Sequence, residues 1–459
     1  MQTRYVSRYG RRAVQHESRH RTLVGVRPFR GVRYNTRLAG DLSALLCPPF
    51  DVISEAERES LYAGSPFNVI RLEWGRDEPG DTPGNGRYAR AAALQAEWLA
   101  SGVLQEDDSP SMYVIEETFS FAGDDYVRRG LISAVRLVDF DSGVVLPHEF
   151  TRSGPKVDRL ELMRSAKANY SPLMALYRDP DSTVARVMKR AMSGESVADA
   201  SPEGLPSMRL WRISDPSDIE SVTTALANTQ LYLADGHHRY ETALTYLEEV
   251  RAERTVGPDE AVNFRLMTLI SVDDPGLLLL GYHRMLVSTT DDELAQFRHY
   301  VREAFDLEDR GPIDPSSATD FEKALNDMPQ DQVAMGFAGI EPDRLQIGVM
   351  RSPADAKDEL QASDYVRLHG EVIRSTFDLD REQAVIAFEH NAAAVLGSVA
   401  GGAAQVGFVM RAVPMGPFET IVKRGQRLPS KSTYFHPKLH TGAAIQSLEG
   451  ELVSLIHQA

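Results

Sequence analysis

The sequence predicts a mixed α/β fold, of the α+β kind, and three observations lead to this class. Segments with the apolar pattern of strands alternate with segments of helical periodicity along most of the chain. A chain of 459 residues is longer than one hydrophobic core usually serves, so we expect two or more lobes. One strand-like segment, Leu231–Ala234, also runs through Asp235-Gly236 directly into a helical segment.

The first part of the chain combines short strands with two helices and one hairpin. A Ser before a helical stretch indicates a helix start, a Gly after one indicates its end, and alternation around a Gly-Asp pair indicates a hairpin. We therefore predict a strand and turn at Gly25–Gly31, a helix that starts at Glu55 and is capped by Ser54, a strand at Asn68–Trp74, a loop at Gly75–Gly86, a helix at Tyr88–Leu99 closed by Gly102, and a hairpin of Met112–Phe121 with Tyr126–Val138.

The rest of the chain continues the alternation after a polar stretch. Apolar faces at helical spacing indicate helices, and short continuous apolar runs indicate buried strands. We predict a surface connection or helix-rich insertion at Asp179–Pro206, a strand at Leu231–Ala234, a helix at Glu241–Arg254, a buried strand at Phe264–Val272, a turn-rich junction at Asp306–Ala318, and helix, turn and buried strand between Asn391 and Met410.

The net charge excludes some classes of partner. A formal charge of −16 argues against general affinity for nucleic acids or anionic membranes, which bind surplus Lys and Arg, but it allows a small basic pocket. The single cysteine, Cys47, excludes an internal disulfide framework and fits a reducing cytoplasm. Residues 1–24 are predicted to be a disordered basic lead-in without the apolar stretch of a signal peptide.

The most informative segment is Asp235-Gly236-His237-His238-Arg239, between a strand and a helix. The first N–H groups of a helix are unpaired and the helix dipole is positive there, so such a turn favours an anion. Arg239 adds a planar fork suited to phosphate oxygens, and Asp235 is placed to hold a metal ion or to accept a substrate proton. The alternative is a turn whose Asp and His residues only satisfy the start of the helix.

This turn resembles the phosphate-binding turn of the ParB/sulfiredoxin-like superfamily. From Val26 onward the chain also resembles a large prokaryotic family described only as a domain of unknown function. The motifs that carry this resemblance occur in the same order: Arg27-Pro28-Phe29-Arg30-Gly31, Pro48-Pro49-Phe50-Asp51-Val52-Ile53-Ser54, Asn68-Val69-Ile70-Arg71-Leu72-Glu73, Leu146-Pro147-His148-Glu149, Gly154-Pro155-Lys156, Asp158-Arg159, Asp235 to Tyr240, and Lys431-Ser432-Thr433-Tyr434-Phe435 with Pro437-Lys438.

The superfamily resemblance implies three activities, of which two fit this sequence poorly. Sulfiredoxin chemistry needs a cysteine in the binding turn, where this chain has His237 and His238. ParB proteins have a basic DNA-binding surface, which the charge of −16 opposes. Kinases of free serine carry a similar turn together with an upstream acidic base, so the resemblance implies phosphoryl transfer to a small alcohol, with serine as the first candidate.

The same resemblance implies roles for further residues. Phosphoryl transfer needs positioning, charge neutralisation and a base for the hydroxyl proton. The implied roles are catalytic for Glu149, Asp235 and His238; phosphate binding for Gly236, His237, Arg239, Lys156 and Arg159; and substrate binding for His148, Asn169, Ser171 and Tyr240. Each of these side chains also has a purely local alternative, such as a surface ion pair for Glu149 or a turn for Asn169.

A second cationic cluster lies near the end of the chain. Lys431, Ser432, Thr433 and Lys438 place two ammonium groups and two hydroxyls around a turn, which suits a phosphate or pyrophosphate. The alternative is a cover segment that packs its two aromatic residues on a sheet. The four-residue spacing of His436 and His440 is interrupted by a proline, so we do not expect zinc. The sequence contains no Walker A loop, dinucleotide fingerprint or serine nucleophile elbow.

These patterns lead to one main hypothesis and two alternatives. The main hypothesis is a phosphotransferase that uses ATP, ADP or pyrophosphate, with Mg²⁺ at Asp235, on free L-serine or a similar small alcohol. The alternatives are a phosphatase of a small phosphorylated metabolite such as phosphoserine, and a non-catalytic nucleotide sensor. We expect a cytoplasmic protein with a small-molecule substrate and no nucleic-acid or membrane partner; a homodimer is left open. The predicted portions are N-terminal α/β at 25–145, a ParB/sulfiredoxin-like core at 146–305 and C-terminal α/β at 306–459.

Overall fold

The computed structural model describes residues 23–82, 84–151, 154–353 and 355–453, without the side chains of residues 154–156. The predicted lead-in therefore lies almost wholly outside the described residues. The first part of the chain forms β1 (Val26–Arg27), β2 (Val32–Tyr34), α1 (Thr36–Ala39), α2 (Glu55–Gly64), α3 (Ile70–Glu73), α4 (Arg87–Ala100), β3 (Leu104–Glu106), β4 (Met112–Phe121), β5 (Asp124–Arg136) and β6 (Val145–Pro147).

The middle of the chain alternates strands and helices. It forms α5 (Gly154–Ala166), β7 (Ala168–Asn169), β8 (Leu173–Tyr177), α6 (Thr183–Ala191), β9 (Ala198–Ala200), β10 (Ser207–Ile213), α7 (Pro216–Ala227), β11 (Leu231–Asp235), α8 (His237–Glu253) and β12 (Phe264–Ser271). Helix α8 begins at His237, before the predicted start at Glu241, so the histidines and Arg239 lie in its first turn.

The last part of the chain has many short elements. It forms β13 (Leu278–Leu280), β14 (His283–Leu286), α9 (Asp291–Ala304), β15 (Phe305–Pro312), α10 (Ala318–Asn326), β16 (Ala334–Ala338), β17 (Arg344–Met350), α11 (Glu359–Ala362), α12 (Asp364–Arg367), α13 (Leu379–Val385), β18 (Ile386–Glu389), α14 (Ala392–Ala400), β19 (Val406–Val409), α15 (Met415–Lys423), β20 (Tyr434–His436) and β21 (Gln446–Ser447).

Two large mixed or antiparallel sheets organise the described residues, so the predicted mixed α/β class is confirmed. The larger sheet has the strand order β6-β11-β8-β12-β5-β4-β10-β9, with β1 paired to β5. Its pairs β6/β11 and β8/β12 are parallel, whereas β11/β8 is antiparallel. The second sheet has the order β15-β17-β16-β19-β14-β18 and is antiparallel throughout.

After α15 the chain returns to the larger sheet and to the N-terminal part. Strand β20 pairs with β13, and β21 pairs with β7. Isolated bridges join Glu149 to Leu428, Cys47 to Thr441 and Val32 to Ile445. The C-terminal segment, residues 424–453, therefore contacts elements from all the earlier parts of the chain.

Two predicted elements are wrong. The sequence predicts a strand at Asn68–Trp74, but this segment contains the short helix α3. The amide of Asn68 fixes this turn, because its oxygen accepts from Ile70 N–H at 2.9 Å and its nitrogen donates to the Ala44 carbonyl at 2.8 Å. An asparagine that bonds the backbone in this way competes with a strand ladder.

The predicted turn-rich junction at Asp306–Ala318 is the second error, because its first half is strand β15. This strand lies at the edge of its sheet and pairs only with β17. Its charged residues are typical of an exposed edge, which explains why the segment lacks an apolar strand pattern. None of the helices that the structure describes combines the length and the apolar character needed to cross a bilayer.

Candidate functional site

The parallel pairing of β6 with β11 brings two of the predicted motifs together. Leu233 is the register partner of Pro147, so His148-Glu149 and Asp235-Gly236 follow neighbouring strands at the same edge of the sheet. Ligand sites commonly form outside the carboxyl ends of parallel strands. This arrangement places an acidic residue beside the start of helix α8.

Gly236 makes the turn between β11 and α8 in a left-handed conformation, with φ 91° and ψ 30°. A Cβ at this position would lie 2.5 Å from Leu173 Cδ2 and 3.1 Å from Arg239 Nη2. Glycine is therefore required both by the backbone angle and by the close approach of the Arg239 side chain. Being glycine, residue 236 offers the helix no side-chain cap.

Asp235 is held between two cations. Its Oδ2 accepts from Arg239 Nη2 at 2.7 Å, and its Oδ1 accepts from Lys438 Nζ at 2.5 Å. Burial opposes ionisation, but Lys438 and Arg239 outweigh it and hold the pKa of the Asp235 carboxyl well below its usual range. A carboxylate with such a low pKa is a weak base, so its role is to position the two cations.

The guanidinium of Arg239 is buried, and both of its terminal nitrogens donate hydrogen bonds within the protein. Its Nη1 donates to Ser171 Oγ at 3.0 Å and to the Pro172 carbonyl at 3.1 Å, while Nη2 bonds Asp235. Replacing Arg239 with Ala would therefore remove part of the fold as well as a candidate phosphate ligand. Substitutions at less buried positions give cleaner tests of function.

Two neutral histidines line the site, and their partners fix the position of each proton. Nδ1 of His148 lies 2.7 Å from the Leu233 carbonyl, which can only accept, so this nitrogen carries the proton. Nε2 of His237 accepts from the His148 backbone N–H at 3.3 Å, so His237 carries its proton on Nδ1. Burial lowers the pKa of both rings below the ordinary value, and for His237 the neighbouring His148 adds to the effect.

The carboxylate of Glu149 is oriented from both sides. Its Oε1 lies 3.5 Å from Nδ1 of His237, and its Oε2 accepts from the Lys431 backbone N–H at 3.2 Å. The side chain keeps 20% exposure and faces the cavity described next. Unlike Asp235, Glu149 has no Lys or Arg side chain within salt-bridge distance among the described residues, and its nearest charged-type partner there is His237.

A cavity of about 620 Å³ opens at the start of α8. This volume lies within the range of small-ligand sites. Its polar lining contains most of the predicted site residues, namely His148, Glu149, Asp235, Gly236, His237, His238, Arg239, Lys431, Thr433 and Lys438. Its aromatic lining consists of Phe50, Trp74, Phe150, Tyr282, Phe388 and Tyr434.

Several predicted residues lie outside this cavity. Ser171, Asn169 and Arg159 surround a smaller cavity of about 20 Å³ behind Arg239, where Ser171 and Arg159 contact the buried Glu73. Of these three residues, Ser171 contacts Arg239 directly, by accepting from its Nη1 at 3.0 Å. The Tyr240 hydroxyl donates to the Val138 carbonyl at 2.7 Å and is buried in the core.

Two further predicted phosphate ligands do not line the cavity or cannot be placed. Ser432 is 1% exposed, and its hydroxyl donates to the Pro429 carbonyl at 2.6 Å. It fixes the turn that presents its neighbours Lys431 and Thr433. The side chain of Lys156 lies outside the described residues, so its predicted role stays a prediction.

The described residues do not fit the predicted Mg²⁺ site. Both oxygens of Asp235 are bonded to cationic side chains, which a metal ion would have to displace. Within the described ranges there is also no cluster of three or more His, Cys, Asp or Glu that could hold a metal ion. We therefore derive no step from a metal bound by this chain.

The sequence did not indicate the aromatic lining of the cavity or the ion pair of Asp158 with Arg87 in that lining. Asp158 also lines the cavity, where it accepts from Arg87 Nη2 at 2.6 Å and from the Tyr88 hydroxyl at 2.7 Å. Arg87 itself lines the cavity from helix α4. The motif Asp158-Arg159 gave one signal for this region, but no local pattern connects Arg87 to it.

Comparisons with known proteins identify a family and several distant structures. Residues 26–355 match the family described as "Protein of unknown function (DUF1015)". A mutant free serine kinase in complex with ADP is 11% identical, with 70% of this chain and 92% of that chain covered and a TM-score of 0.35. No curated protein matches the sequence.

Two other solved structures are similarly distant. A conserved hypothetical protein from Pyrococcus furiosus is 12% identical over 67% of this chain and 90% of that chain, with a TM-score of 0.32. SbnI from Staphylococcus aureus, with a C-terminal truncation, is 10% identical over 72% of this chain and 90% of that chain, with a TM-score of 0.33. At these identities and TM-scores the similarities carry no argument about activity.

Proposed function

The chain belongs to this DUF1015 family of unknown function, and we propose that it is a cytoplasmic phosphotransferase acting on a small alcohol, free L-serine first. The observation that carries the proposal is the start of α8, which opens into the cavity beside Glu149, Arg239 and Lys438. A helix start next to two cations suits phosphate groups, and a neighbouring carboxylate suits a hydroxyl that must lose its proton.

The aromatic lining favours a nucleotide as the phosphoryl donor over pyrophosphate. Six aromatic side chains line the cavity in addition to its cations. A nucleobase stacks well on aromatic faces, while pyrophosphate has no group that would use them. ATP or ADP therefore matches both kinds of lining.

In the proposed reaction Glu149 takes the proton of the substrate hydroxyl. The hydroxyl oxygen attacks the terminal phosphorus, the bond to the bridging oxygen of the donor breaks, and the leaving group keeps that electron pair. Lys438 and the first turn of α8 stabilise the charge on the transferred group. Asp235 holds Lys438 and Arg239 in place, and the neutral His237 orients Glu149.

The resemblance of the turn to that of the ParB/sulfiredoxin-like superfamily, whose members include free serine kinases, supports the same reaction. It adds serine as the first acceptor to test. The cavity itself supports only a small acceptor, because a nucleotide bound there would fill much of its volume of about 620 Å³.

A phosphorus NMR assay tests this function. Purified protein with Mg²⁺ is mixed with ATP, ADP or pyrophosphate and a panel of hydroxylated amino acids and other small alcohols. We expect a new phosphomonoester signal with serine. Glu149→Gln should lower the rate by about 100-fold or more, as expected for loss of a general base.

The matched control is Glu97→Gln, an exposed glutamate on α4 outside the cavity lining, which should turn over at the wild-type rate. Equal rates for Glu149→Gln and Glu97→Gln would exclude Glu149 as the base. A protein that is stabilised by nucleotide but forms no phosphomonoester with any alcohol would be a nucleotide sensor instead.

A further inference from the structure

The hydroxyl of Thr433 makes an unusual hydrogen bond inside the cavity. Its Oγ1 lies 2.7 Å from Nε2 of His148. Nδ1 of the same ring donates to the Leu233 carbonyl at 2.7 Å, so in the neutral ring Nε2 carries a lone pair. The direction of the bond is therefore fixed: Thr433 donates its hydroxyl proton to His148.

A hydroxyl that donates to a neutral imidazole has the arrangement of an activated nucleophile. Two helical threonines use their hydroxyls differently. Thr245 and Thr420 donate to backbone carbonyls one helical turn earlier, which is an ordinary local role. Thr433 instead points its hydroxyl proton at a base that is itself oriented by a third group.

The surroundings of Thr433 suit a phosphoryl group. Lys431 and Lys438 lie on the same segment as Thr433 and line the same cavity. The start of α8 also lines this cavity. The negative charges of Glu149 and Asp235 favour the protonated form of His148, against the effect of burial. These two charges therefore offset part of the cost of forming an imidazolium during proton transfer.

We propose that Thr433 is a phosphoryl acceptor of this chain, with His148 as its base. The proposal rests on the proposed function, because it uses the same phosphoryl donor, a nucleoside triphosphate or diphosphate. A bond forms between Thr433 Oγ1 and the terminal phosphorus. The bond from that phosphorus to the bridging oxygen breaks, the leaving group keeps the electron pair, and the hydroxyl proton passes to Nε2 of His148.

Mass spectrometry of the intact protein and of its peptides tests this assignment. Wild-type protein is incubated with Mg²⁺ and each donor without any alcohol, then quenched. We expect the mass of one added phosphoryl group, mapped to Thr433. Thr433→Ser should keep the label, Thr433→Val should lose it, and the control Thr245→Val should be labelled like the wild type.

Folding of the variants is checked by thermal unfolding and by donor-dependent stabilisation. A Thr433→Val protein that still binds donor but carries no label supports the proposal. No label on wild-type protein with either donor overturns it, as does an undiminished label in Thr433→Val. Failure of the proposed function has a different outcome: the label forms at Thr433, but no alcohol is phosphorylated.

Glu149→Gln separates the two reactions further. Because Glu149 is the base only for the external alcohol in this scheme, its substitution should lower the rate of phosphomonoester formation by about 100-fold or more. The Thr433 label should still form, slowed only by loss of the charge that favours protonated His148. His148→Gln should slow labelling by about 100-fold or more, the usual effect of losing a general base. Labelling that is as fast in His148→Gln as in the wild type would contradict the role of His148.

Discussion

At the scale of single residues, the strand–glycine–helix pattern correctly predicted the turn at Gly236 between β11 and a helix, while anion binding at the α8 start stays a prediction. The residues that bond to this turn could not be predicted from the sequence. Lys438 bonds Asp235 across 203 positions of sequence, and a pairing over such a distance leaves no local pattern. The roles of Ser171 and Asn169 were assigned from a resemblance, whereas the structure places both behind Arg239.

The requirement for glycine at residue 236 gives the first prediction. Gly236→Ala should destabilise the protein by about 2–4 kcal/mol, from the strain of a positive φ plus overpacking against Leu173. Gly123→Ala is the matched control, because Gly123 has the same φ of 91° but nothing within 4 Å of the position that a Cβ would take. Its cost should be about 1 kcal/mol. Equal urea unfolding free energies for both variants would contradict the packing argument.

The balance of charges around Asp235 gives the second prediction. Asp235→Asn leaves the buried Arg239 and its neighbour Lys438 without their shared anion, so we expect a loss of about 3 kcal/mol in unfolding free energy at neutral pH. Lys438→Gln should cost less, because Asp235 keeps Arg239. Urea denaturation measures both. A larger loss for Lys438→Gln would contradict the view that Asp235 is the centre of the cluster.

At the scale of elements, the sequence predicted those with a regular period or a capping signal. Ser54 caps α2 as expected and also forms a capping box with Glu57, and α4 and the β4–β5 hairpin lie where expected. The errors occurred where side chains bond the backbone, as at Asn68, or where a charged edge strand lacks an apolar face, as in β15. Periodicity carries no information on either.

The attachment of the C-terminal segment to the larger sheet depends on a buried arginine of β5. Arg128 donates to Glu117 Oε2 at 2.7 Å and to the Pro437 carbonyl at 2.6 Å, and it has no exposed surface. Arg128→Leu leaves the buried Glu117 with less compensation, so we expect a loss of about 3–5 kcal/mol.

Arg129→Leu is the control for this third prediction. Arg129 is the next residue, it is 40% exposed, and it pairs with Glu116. Removing an exposed pair should cost about 1 kcal/mol or less. The two variants are compared by urea unfolding, and similar losses would show that Arg128 has no special part in holding the segment.

At the scale of the whole molecule, the cavity depends on contributions from distant parts of the chain. Its lining comes from the N-terminal part, from the β6 and β11 edges, from the second sheet and from the C-terminal segment. Acidic and basic side chains both line the cavity, so the small basic pocket that the net charge of −16 allows stays a prediction. The aromatic part of the lining was not foreseen, because its members are scattered singly along the sequence.

From the lowered pKa values of three histidines we predict that the free energy of unfolding falls on mild acidification. Burial, aided by the charge of Arg128, lowers the pKa of His436 to about 4 from an ordinary 6.5, and the pKa values of His148 and His237 are also lowered. The unfolded chain then binds protons that the folded chain does not. The contribution of these neutral histidines to the free energy of unfolding is fully present above about pH 6.5. It is lost as the pH falls towards their pKa values in the folded chain.

Thermal unfolding between about pH 7.5 and pH 5 measures this fourth prediction. We expect the midpoint to fall with pH, and to fall less steeply in His436→Gln than in the control His299→Gln, which replaces an exposed histidine on α9. A midpoint that rises over this range would contradict the prediction. The low pKa of Asp235 does not contribute to the pH dependence of stability in this range. Its carboxyl stays ionised in both the folded and the unfolded chain until the pH is far lower.

The central claim is that the cations at the start of α8 bind the phosphates of a donor, and calorimetric titration tests it most directly. ATP, ADP and pyrophosphate are titrated into wild type, Lys438→Gln and Lys323→Gln, the last an exposed lysine of α10. We predict binding of at least one donor, with affinity at least about tenfold weaker in Lys438→Gln and unchanged in Lys323→Gln. No binding of any donor, or equal affinity in both variants, would contradict the account.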